Sequence, residues 1–218
     1  AHSPIVCRDE GVGNTCSRPL WHWRSCVTRL LIDTDIGGDI DDSLALAFAA
    51  RLEGSVTAAV TTVNTDTALR GRLAALLLDR LRVPAPVYAG RTVQYDGSPT
   101  REKRIFQSSL AELSDWEARG EALPAMLAVL EEAPATLVGL GCWTNIAHLM
   151  ACEQPELERI DRIVLMGGKM YPAGAESNIT HDPAAARYLL AGDHPVTVIP
   201  HELTTQFLMS EDLVETLR

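Results

Sequence analysis

Five aspartates lie within ten residues near the start of the chain, at Asp33, Asp35, Asp39, Asp41 and Asp42. They follow a short apolar segment and enclose two glycines, a pattern typical of a loop between a buried strand and a helix. Helix capping accounts for one or two of these carboxylates, because aspartate is favoured at the N-cap and in the first turn. The others would repel one another unless a cation neutralised them. Because oxygen ligands favour Ca²⁺ or Mg²⁺ over zinc, the pattern predicts a hard-cation site, with a purely structural acidic loop as the alternative.

Polar and glycine residues also follow the other apolar segments. Residues 62–66 read Thr-Val-Asn-Thr-Asp, residues 141–145 read Gly-Cys-Trp-Thr-Asn, and Gly167-Gly168 and Pro200-His201-Glu202 come later. In an open parallel sheet, ligands bind beyond the carboxyl ends of the strands, so these residues are expected to share one edge. Thr144 and Asn145 are expected to cap the following helix rather than to act in catalysis.

The elements that must position these residues alternate between strands and helices. Apolar segments predict strands at residues 30–33, 57–63, 136–140, 160–166 and 195–199, with a further short strand ending near Tyr88. Amphipathic stretches predict helices at residues 42–52, 67–82, 121–132, 144–152 and 182–190, and residues 91–120 form a long loop or lid. This alternation indicates right-handed β-α-β units. The predicted fold class is therefore α/β, with an open, mostly parallel sheet flanked by helices.

The chain divides into two regions of different character. Residues 1–28 show no helical or strand period and are expected to form an irregular N-terminal extension, whereas residues 29–218 form one α/β domain. A small metal site in the extension is conceivable, although the spacing of its donors matches no zinc pattern well. The donors would be Cys7, Cys16, Cys26 and His22.

Composition excludes several classes of function. The chain has 29 acidic and 19 basic residues, a net charge of −10 that disfavours a nucleic-acid-binding surface. The apolar runs are far shorter than the ~18 residues of a membrane span. The five cysteines include no Cys-x-x-Cys pair and the N-terminal segment has no signal-peptide pattern, so a reducing, cytoplasmic location is expected.

The acidic segment resembles the N-terminal signature of the inosine–uridine preferring nucleoside hydrolases, in the form with two extra residues before the final Asp-Asp. Three later segments resemble motifs of that family in the same order. They are residues 60–66, residues 140–147 (Leu-Gly-Cys-Trp-Thr-Asn-Ile-Ala), and residues 163–186 with their Met-Gly-Gly, Ala-Glu-Ser-Asn and Asp-Pro-Ala-Ala-Ala blocks. The resemblance covers roughly residues 29–209. It implies a Rossmann-like fold of nucleoside-hydrolase type that hydrolyses ribonucleosides to free base and ribose with Ca²⁺.

The resemblance also implies roles for individual residues. Asp35 would bind Ca²⁺ and take a proton from the metal-bound water, with Asp42 and the backbone carbonyl of Leu140 as further ligands. The substrate-binding residues would be Asp41, Asp66, Met166, Glu176 and Asn178. Such a site suits N-ribosidic cleavage, because carboxylates stabilise an oxocarbenium-like sugar. As an alternative, Glu176 and Asn178 cap the helix predicted near Asp182.

The sequence departs from the family pattern in its later part. Family members are longer and supply a His-Asp pair there, whereas this chain stops at Arg218, so the C-terminal part of the family fold is expected to be absent. The family's His-Gly element is also missing, since residues 91–110 contain Asp96-Gly97 but no histidine. A nucleoside-binding relic or a fragment of a longer enzyme is therefore the alternative function. A shortened sheet exposes apolar surface, so homo-oligomers are expected.

A more remote alternative comes from the Asp-x-Asp at the first strand end. It also resembles the haloacid-dehalogenase-like phosphatases, in which the first aspartate is the nucleophile and Mg²⁺ is the metal. The lysine that this reaction requires would have to be Lys103 or Lys169, since the chain contains no other lysine.

Overall fold

Six short apolar segments pair into a single sheet in the computed structural model, which describes residues 27–117, 120–171 and 174–206. The strands are β1 (Thr28–Thr34), β2 (Ser55–Thr62), β3 (Val87–Ala89), β4 (Ala135–Gly139), β5 (Ile160–Met166) and β6 (Val196–Ile199). Every pairing between them is parallel, and their spatial order is β3-β2-β1-β4-β5-β6. This is the strand order of a doubly wound, Rossmann-like sheet.

Helices connect the strands. They are α1 (Asp41–Ala49), α2 (Thr67–Arg80), α3 (Ala122–Glu132), α4 (Thr144–Ala151), α5 (Ser177–His181), α6 (Pro183–Ala191) and α7 (His201–Thr204). Two 3₁₀ helices, Ser108–Leu113 and Pro155–Arg159, lie in longer connections. Among the described residues, no helix combines the length and the hydropathy that a membrane span requires.

Core residues cover both faces of the sheet. Successive side chains of a strand point to opposite faces, so neighbouring residues of one strand enter different core clusters. In β1, Leu30 and Ile32 belong to a core cluster that includes Leu73 of α2. The residue between them, Leu31, belongs to the opposite cluster with Met126 of α3. The sequence of a strand that is buried on both faces is a continuous apolar run rather than an alternation of apolar and polar residues.

The strand order places a topological switch point between β1 and β4. β1 pairs with β2 on one side and with β4 on the other, and Asp33 lies in register with Thr61 and with Gly139. Connections that leave the sheet in opposite directions open a crevice at the carboxyl ends of such strands. The acidic loop that follows β1 therefore begins at this crevice.

The predicted fold class is confirmed, and the structure adds elements that the sequence analysis missed. Residues 177–181 form α5, which is too short to show a helical period, and residues 108–113 of the predicted loop form a 3₁₀ helix. β1 begins at Thr28, one residue before the predicted domain boundary. Residues 1–26 of the predicted N-terminal extension, including the candidate cysteine–histidine site, lie outside the described residues.

The expectation that Thr144 and Asn145 cap α4 is wrong. The N-cap of α4 is Trp143, and it makes no side-chain capping bond. Asn145 instead donates from Nδ2 to Asp33 Oδ1 at 2.8 Å and to the Thr62 carbonyl at 3.0 Å, while Thr144 donates to Asp182 Oδ2 at 2.6 Å. Asn145 thus ties β1, β2 and α4 together beneath the crevice.

We expect Leu137→Ala to lower the free energy of unfolding by about 3 kcal/mol, because it leaves a cavity in the core. Leu137 is 1% exposed, in β4 at the centre of the sheet. Urea denaturation followed by circular dichroism measures the change. The control is Val56→Ala on β2, where the side chain is exposed and the expected loss is under ~1 kcal/mol. Equal losses in the two variants would contradict the assignment of Leu137 to the core.

Candidate functional site

The acidic loop leaves β1 and turns back so that α1 begins beside the end of the strand. Thr34 Oγ1 donates to Asp42 Oδ1 at 2.7 Å and accepts a hydrogen bond from the Ile36 amide at 3.1 Å. Gly37 follows with φ of 110°, and a Cβ at this position would lie 2.7 Å from Leu73 Cδ1. The turn therefore requires glycine, and its result is to bring Asp42 back to the end of β1.

Asp35 is the first residue after β1, and it is buried. Its Oδ2 accepts hydrogen bonds from Asn64 Nδ2 at 3.1 Å and from Lys103 Nζ at 2.6 Å. Within the described residues its Oδ1 has no hydrogen-bond partner. One oxygen of Asp35 is therefore held in place by protein donors, while the other is available to a ligand.

Arg70 of α2 holds the backbone around Asp35. Its guanidinium is fully buried and donates to the carbonyls of Asp35, Ile36, Thr65 and Lys103, at 2.9 Å for Ile36, 2.7 Å for Thr65 and 3.3 Å for Lys103. Burial lowers the pKa of Arg70, but arginine stays protonated in proteins. One side chain thus connects the acidic loop, the end of β2 and the segment that carries Lys103. The sequence analysis did not identify it.

A cavity of about 500 Å³ opens at the carboxyl ends of β1, β4 and β5. Seven of the eight predicted site residues line it, namely Asp35, Asp41, Asp42, Leu140, Met166, Glu176 and Asn178. Asp39, Lys103 and His201 also line it, although the family resemblance implied no role for them. Among the predicted site residues alone, the structure brings together side chains that are up to 143 positions apart, from Asp35 to Asn178.

Asp66 is the predicted site residue that does not line this cavity. It is exposed, has a left-handed φ of 50°, and accepts a hydrogen bond from the Leu69 amide at 3.2 Å as the N-cap of α2. Asn64, two residues earlier, is buried and contacts Asp35 instead. The substrate-binding role predicted for Asp66 thus has no contact in the structure that supports it.

Glu176 and Asn178 join the ends of β4 and β5. Glu176 is the N-cap of α5, not of the helix near Asp182, which Asp182 caps itself. Glu176 Oε1 accepts from the Asn178 amide at 2.8 Å, and Oε2 accepts from the Gly168 amide at 2.9 Å. Asn178 Nδ2 donates to the Leu140 carbonyl at 2.7 Å. The two side chains are therefore fixed in the cavity wall by bonds to the backbone.

The end of β1 and the start of α1 concentrate buried negative charge. Burial and the nearby charge of Asp35 together raise the pKa of Asp42 to about 7. Burial likewise raises the pKa of Asp33 to about 7, although Thr61 and Asn145 donate hydrogen bonds to it. A bound cation would relieve this repulsion between carboxylates.

The donors in the cavity fit a hard cation. Asp35 and Asp42 are buried carboxylates in one cavity, and the Leu140 carbonyl lies in the same wall. No cluster of three or more His, Cys, Asp or Glu side chains suited to a metal occurs in the described part of the chain. The candidate cation ligands among the buried oxygen atoms of the cavity are the carboxylates of Asp35 and Asp42, with the Leu140 carbonyl beside them. Calcium takes six to eight oxygen ligands, so water or substrate would complete its shell.

The sequence pattern of the inosine-uridine preferring nucleoside hydrolases matches residues 30–218. Uridine nucleosidase 1 from Arabidopsis thaliana is 30% identical over 201 residues, which are 84% of this chain and 59% of the relative. Among solved structures, a plant nucleoside hydrolase, PpNRh1, superposes with a TM-score of 0.75 at 25% identity and covers 88% of this chain and 65% of its own. A purine-preferring ribonucleoside hydrolase from Gardnerella vaginalis gives a TM-score of 0.72 at 25% identity, over 84% of this chain and 64% of its own.

The alignments share one further property. The chain spans about 60% of the length of the curated relatives that it matches. The likeness therefore extends over most of this sequence but over only part of each longer relative.

We expect Arg70→Met to lower the free energy of unfolding by roughly 3 kcal/mol, because four backbone carbonyls lose their charged donor, and those of Asp35 and Ile36 are buried. The matched control is Arg72→Met, two residues along the same helix at an exposed position. Arg72→Met should change the free energy by less than ~0.5 kcal/mol. The loss of unfolding free energy in Arg70→Lys should lie between the losses in Arg70→Met and Arg72→Met, since an ammonium cannot reproduce the planar set of donors of a guanidinium. Urea denaturation measures all three. A loss in Arg70→Met no larger than in Arg72→Met would contradict the anchoring role.

Proposed function

Because the chain belongs to the inosine-uridine preferring nucleoside hydrolase family, we propose that it hydrolyses the N-glycosidic bond of ribonucleosides to free base and ribose. The observation that carries this proposal is the convergence of Asp35, Asp42 and Asn178 in one cavity at the switch point of the sheet. Fold alone would be weak support, since Rossmann-like sheets serve many functions. The cavity supports the proposal because it combines cation ligands with donors and acceptors for a sugar.

The proposed cofactor is Ca²⁺, held by Asp35, Asp42 and the Leu140 carbonyl. A cation bound there would orient a water molecule and make it more acidic. Asp35 is the proposed base, since its Oδ1 is available while its Oδ2 is held by Asn64 and Lys103. Asp35 then accepts the proton from the attacking water. The surrounding carboxylates stabilise positive charge that develops on the sugar.

The proposed ribose-binding residues are Asp41, Glu176 and Asn178, with Met166 packing against the sugar. Asn178 directs Nδ2 to the Leu140 carbonyl, and its Oδ1 has no partner among the described residues, so it can accept a hydrogen bond from a hydroxyl group. Glu176 Oε1 accepts one hydrogen bond and retains a second lone pair. The bonds that fix these side chains to the backbone support a binding role, because they hold the remaining acceptors in place before substrate arrives.

The base that the proposed substrate carries is open to test. The Arabidopsis relative is named a uridine nucleosidase, whereas the Gardnerella structure is titled purine-preferring. An assay of ribose release should therefore compare uridine with inosine. Activity on either nucleoside supports the proposal, and the ratio of the two rates gives the preference.

The competing function is binding of nucleosides without turnover. One specific observation favours it, namely the contact of Lys103 with the oxygen of Asp35 that a cation would also attract. Ribose release separates the two functions. The phosphatase alternative is disfavoured, because its nucleophile would be Asp33, which is fully buried and bonded to Thr61 and Asn145.

Homo-oligomers and a cytoplasmic location are further parts of this proposal. Cys142 and Cys152 are free cysteines, as a reducing compartment requires. Exposed apolar residues recur at intervals of four along α1 and in the residues that flank it, and this stripe supports association. The stripe consists of Ile40, Leu44, Phe48 and Leu52, all exposed.

We expect Asp42→Ala and Asp35→Asn to abolish calcium binding and to reduce ribose release by at least about 100-fold, while the fold survives. Calorimetric titration with Ca²⁺, with Mg²⁺ for comparison, measures the binding, and circular dichroism checks the fold. The matched control is Asp79→Asn, an exposed carboxylate on α2 that lies outside the cavity. Wild-type calcium affinity in either site variant would show that the ligand assignment is wrong.

If the stripe on α1 mediates association, Phe48→Glu should shift the sedimentation coefficient towards that of the monomer. A charge at this position, 68% exposed, opposes burial of the stripe without disturbing the core. Val93→Glu, at another exposed apolar position, is the control. Identical sedimentation of wild type and Phe48→Glu would exclude this surface as the contact.

A further inference from the structure

Lys103 places a positive charge inside the candidate cation site. Its Nζ lies 2.6 Å from Asp35 Oδ2, in an ion pair whose side chains are 22% and 2% exposed. Lys103 also lines the cavity with Asp39, Asp41 and Asp42. The resemblance on which the site prediction was based assigns no role to this lysine.

The segment that carries Lys103 is fastened to the acidic loop. The Lys103 amide donates to Thr65 Oγ1 at 3.4 Å, and its carbonyl accepts from Arg70 Nη2 at 3.3 Å. Four residues later, the Gln107 amide donates to the Gly37 carbonyl at 3.2 Å, and Gln107 Nε2 donates to the Asp39 carbonyl at 3.2 Å. The backbone of Lys103 is therefore fixed relative to Asp35. Only the side chain is free to withdraw its ammonium group.

We propose that Lys103 is an internal counter-ion of Asp35 that competes with the divalent cation for this carboxylate. This inference rests on the proposed function, because it takes Asp35 as a cation ligand. In the metal-free protein, the ammonium neutralises a buried charge that would otherwise be unfavourable. A divalent cation bound to Asp35 repels the ammonium at close range, so cation binding moves Nζ away from Asp35. The lysine thus lowers the affinity of the site for the cation.

The first test measures the ion pair without metal. The chain contains two lysines, and Lys169 lies outside the cation cavity, so it serves as an internal reference. In metal-free protein, acetylation measured by mass spectrometry should be slower at Lys103 than at Lys169. Asp35→Asn should raise the Lys103 rate by about tenfold and leave the Lys169 rate unchanged, because it removes the charge that holds the ammonium. An unchanged Lys103 rate in Asp35→Asn would overturn the proposal.

The second test measures the competition. Calorimetry should show that Lys103→Met binds Ca²⁺ at least ~10-fold more tightly than wild type does, because Asp35 is then left without a counter-ion. Lys169→Met should bind as wild type does, and so should Lys103→Arg, which keeps the charge. Ca²⁺ should also raise the acetylation rate of Lys103 in the wild-type protein.

The outcomes distinguish this proposal from the proposed function. Calcium binding that is equal in wild type, Lys103→Met and Lys169→Met overturns the competition while leaving the cation site intact. Calcium binding by Lys103→Met, with none by wild type or Lys169→Met, would show that the lysine excludes the cation from the site and would support the competition. Absence of calcium binding from every variant overturns both the competition and the cation site. Loss of ribose release with normal calcium binding would affect only the proposed hydrolysis.

Discussion

Burial of negative charge at the end of β1 is the constraint on which the rest of the site depends. Asp33, Asp35 and Asp42 lie within ten residues and are 1%, 1% and 7% exposed. A buried carboxylate is unfavourable unless it is neutral, paired or hydrogen-bonded. The structure supplies each one with hydrogen-bond donors. Thr61 and Asn145 donate to Asp33, Asn64 and Lys103 to Asp35, and Thr34 to Asp42.

The end of β4 packs closely against β1 at this point. The Leu140 amide donates to the Asp33 carbonyl at 2.8 Å, which brings the end of β4 against the acidic loop. Gly141 follows, and a Cβ at this position would lie 3.0 Å from Asp35 Cβ and 2.8 Å from Val63 Cγ1. Only glycine permits this approach. The Leu140 carbonyl therefore lies in the same cavity wall as Asp35, although the two residues are 105 positions apart.

The fold and most of the site follow from local patterns in the sequence, whereas the exceptions depend on tertiary contacts. Apolar strands alternating with helices specify a parallel sheet, and the polar residues after the strands then have to share an edge. The choice between Asn64 and Asp66 depends on a turn in which both residues adopt positive φ, at 81° and 50°, and no periodicity encodes that turn. Lys103 reaches Asp35 from 68 residues away, in a segment without regular structure. The spacing of residues along the sequence does not reveal long-range pairs of this kind.

The side chains assigned to ribose binding are also structural, and this links the stability of the cavity wall to its function. Asn178 bonds to the Leu140 carbonyl, which is a proposed cation ligand, and Glu176 fixes the Asn178 amide. A carbonyl oxygen has two lone pairs, so Leu140 can accept from Asn178 and contact a cation at the same time. One hydrogen-bond network therefore holds the proposed sugar acceptors and the Leu140 carbonyl, a proposed cation ligand. Because Asn178 belongs to both parts, a change at α5 that moves it should weaken cation binding as well as sugar binding.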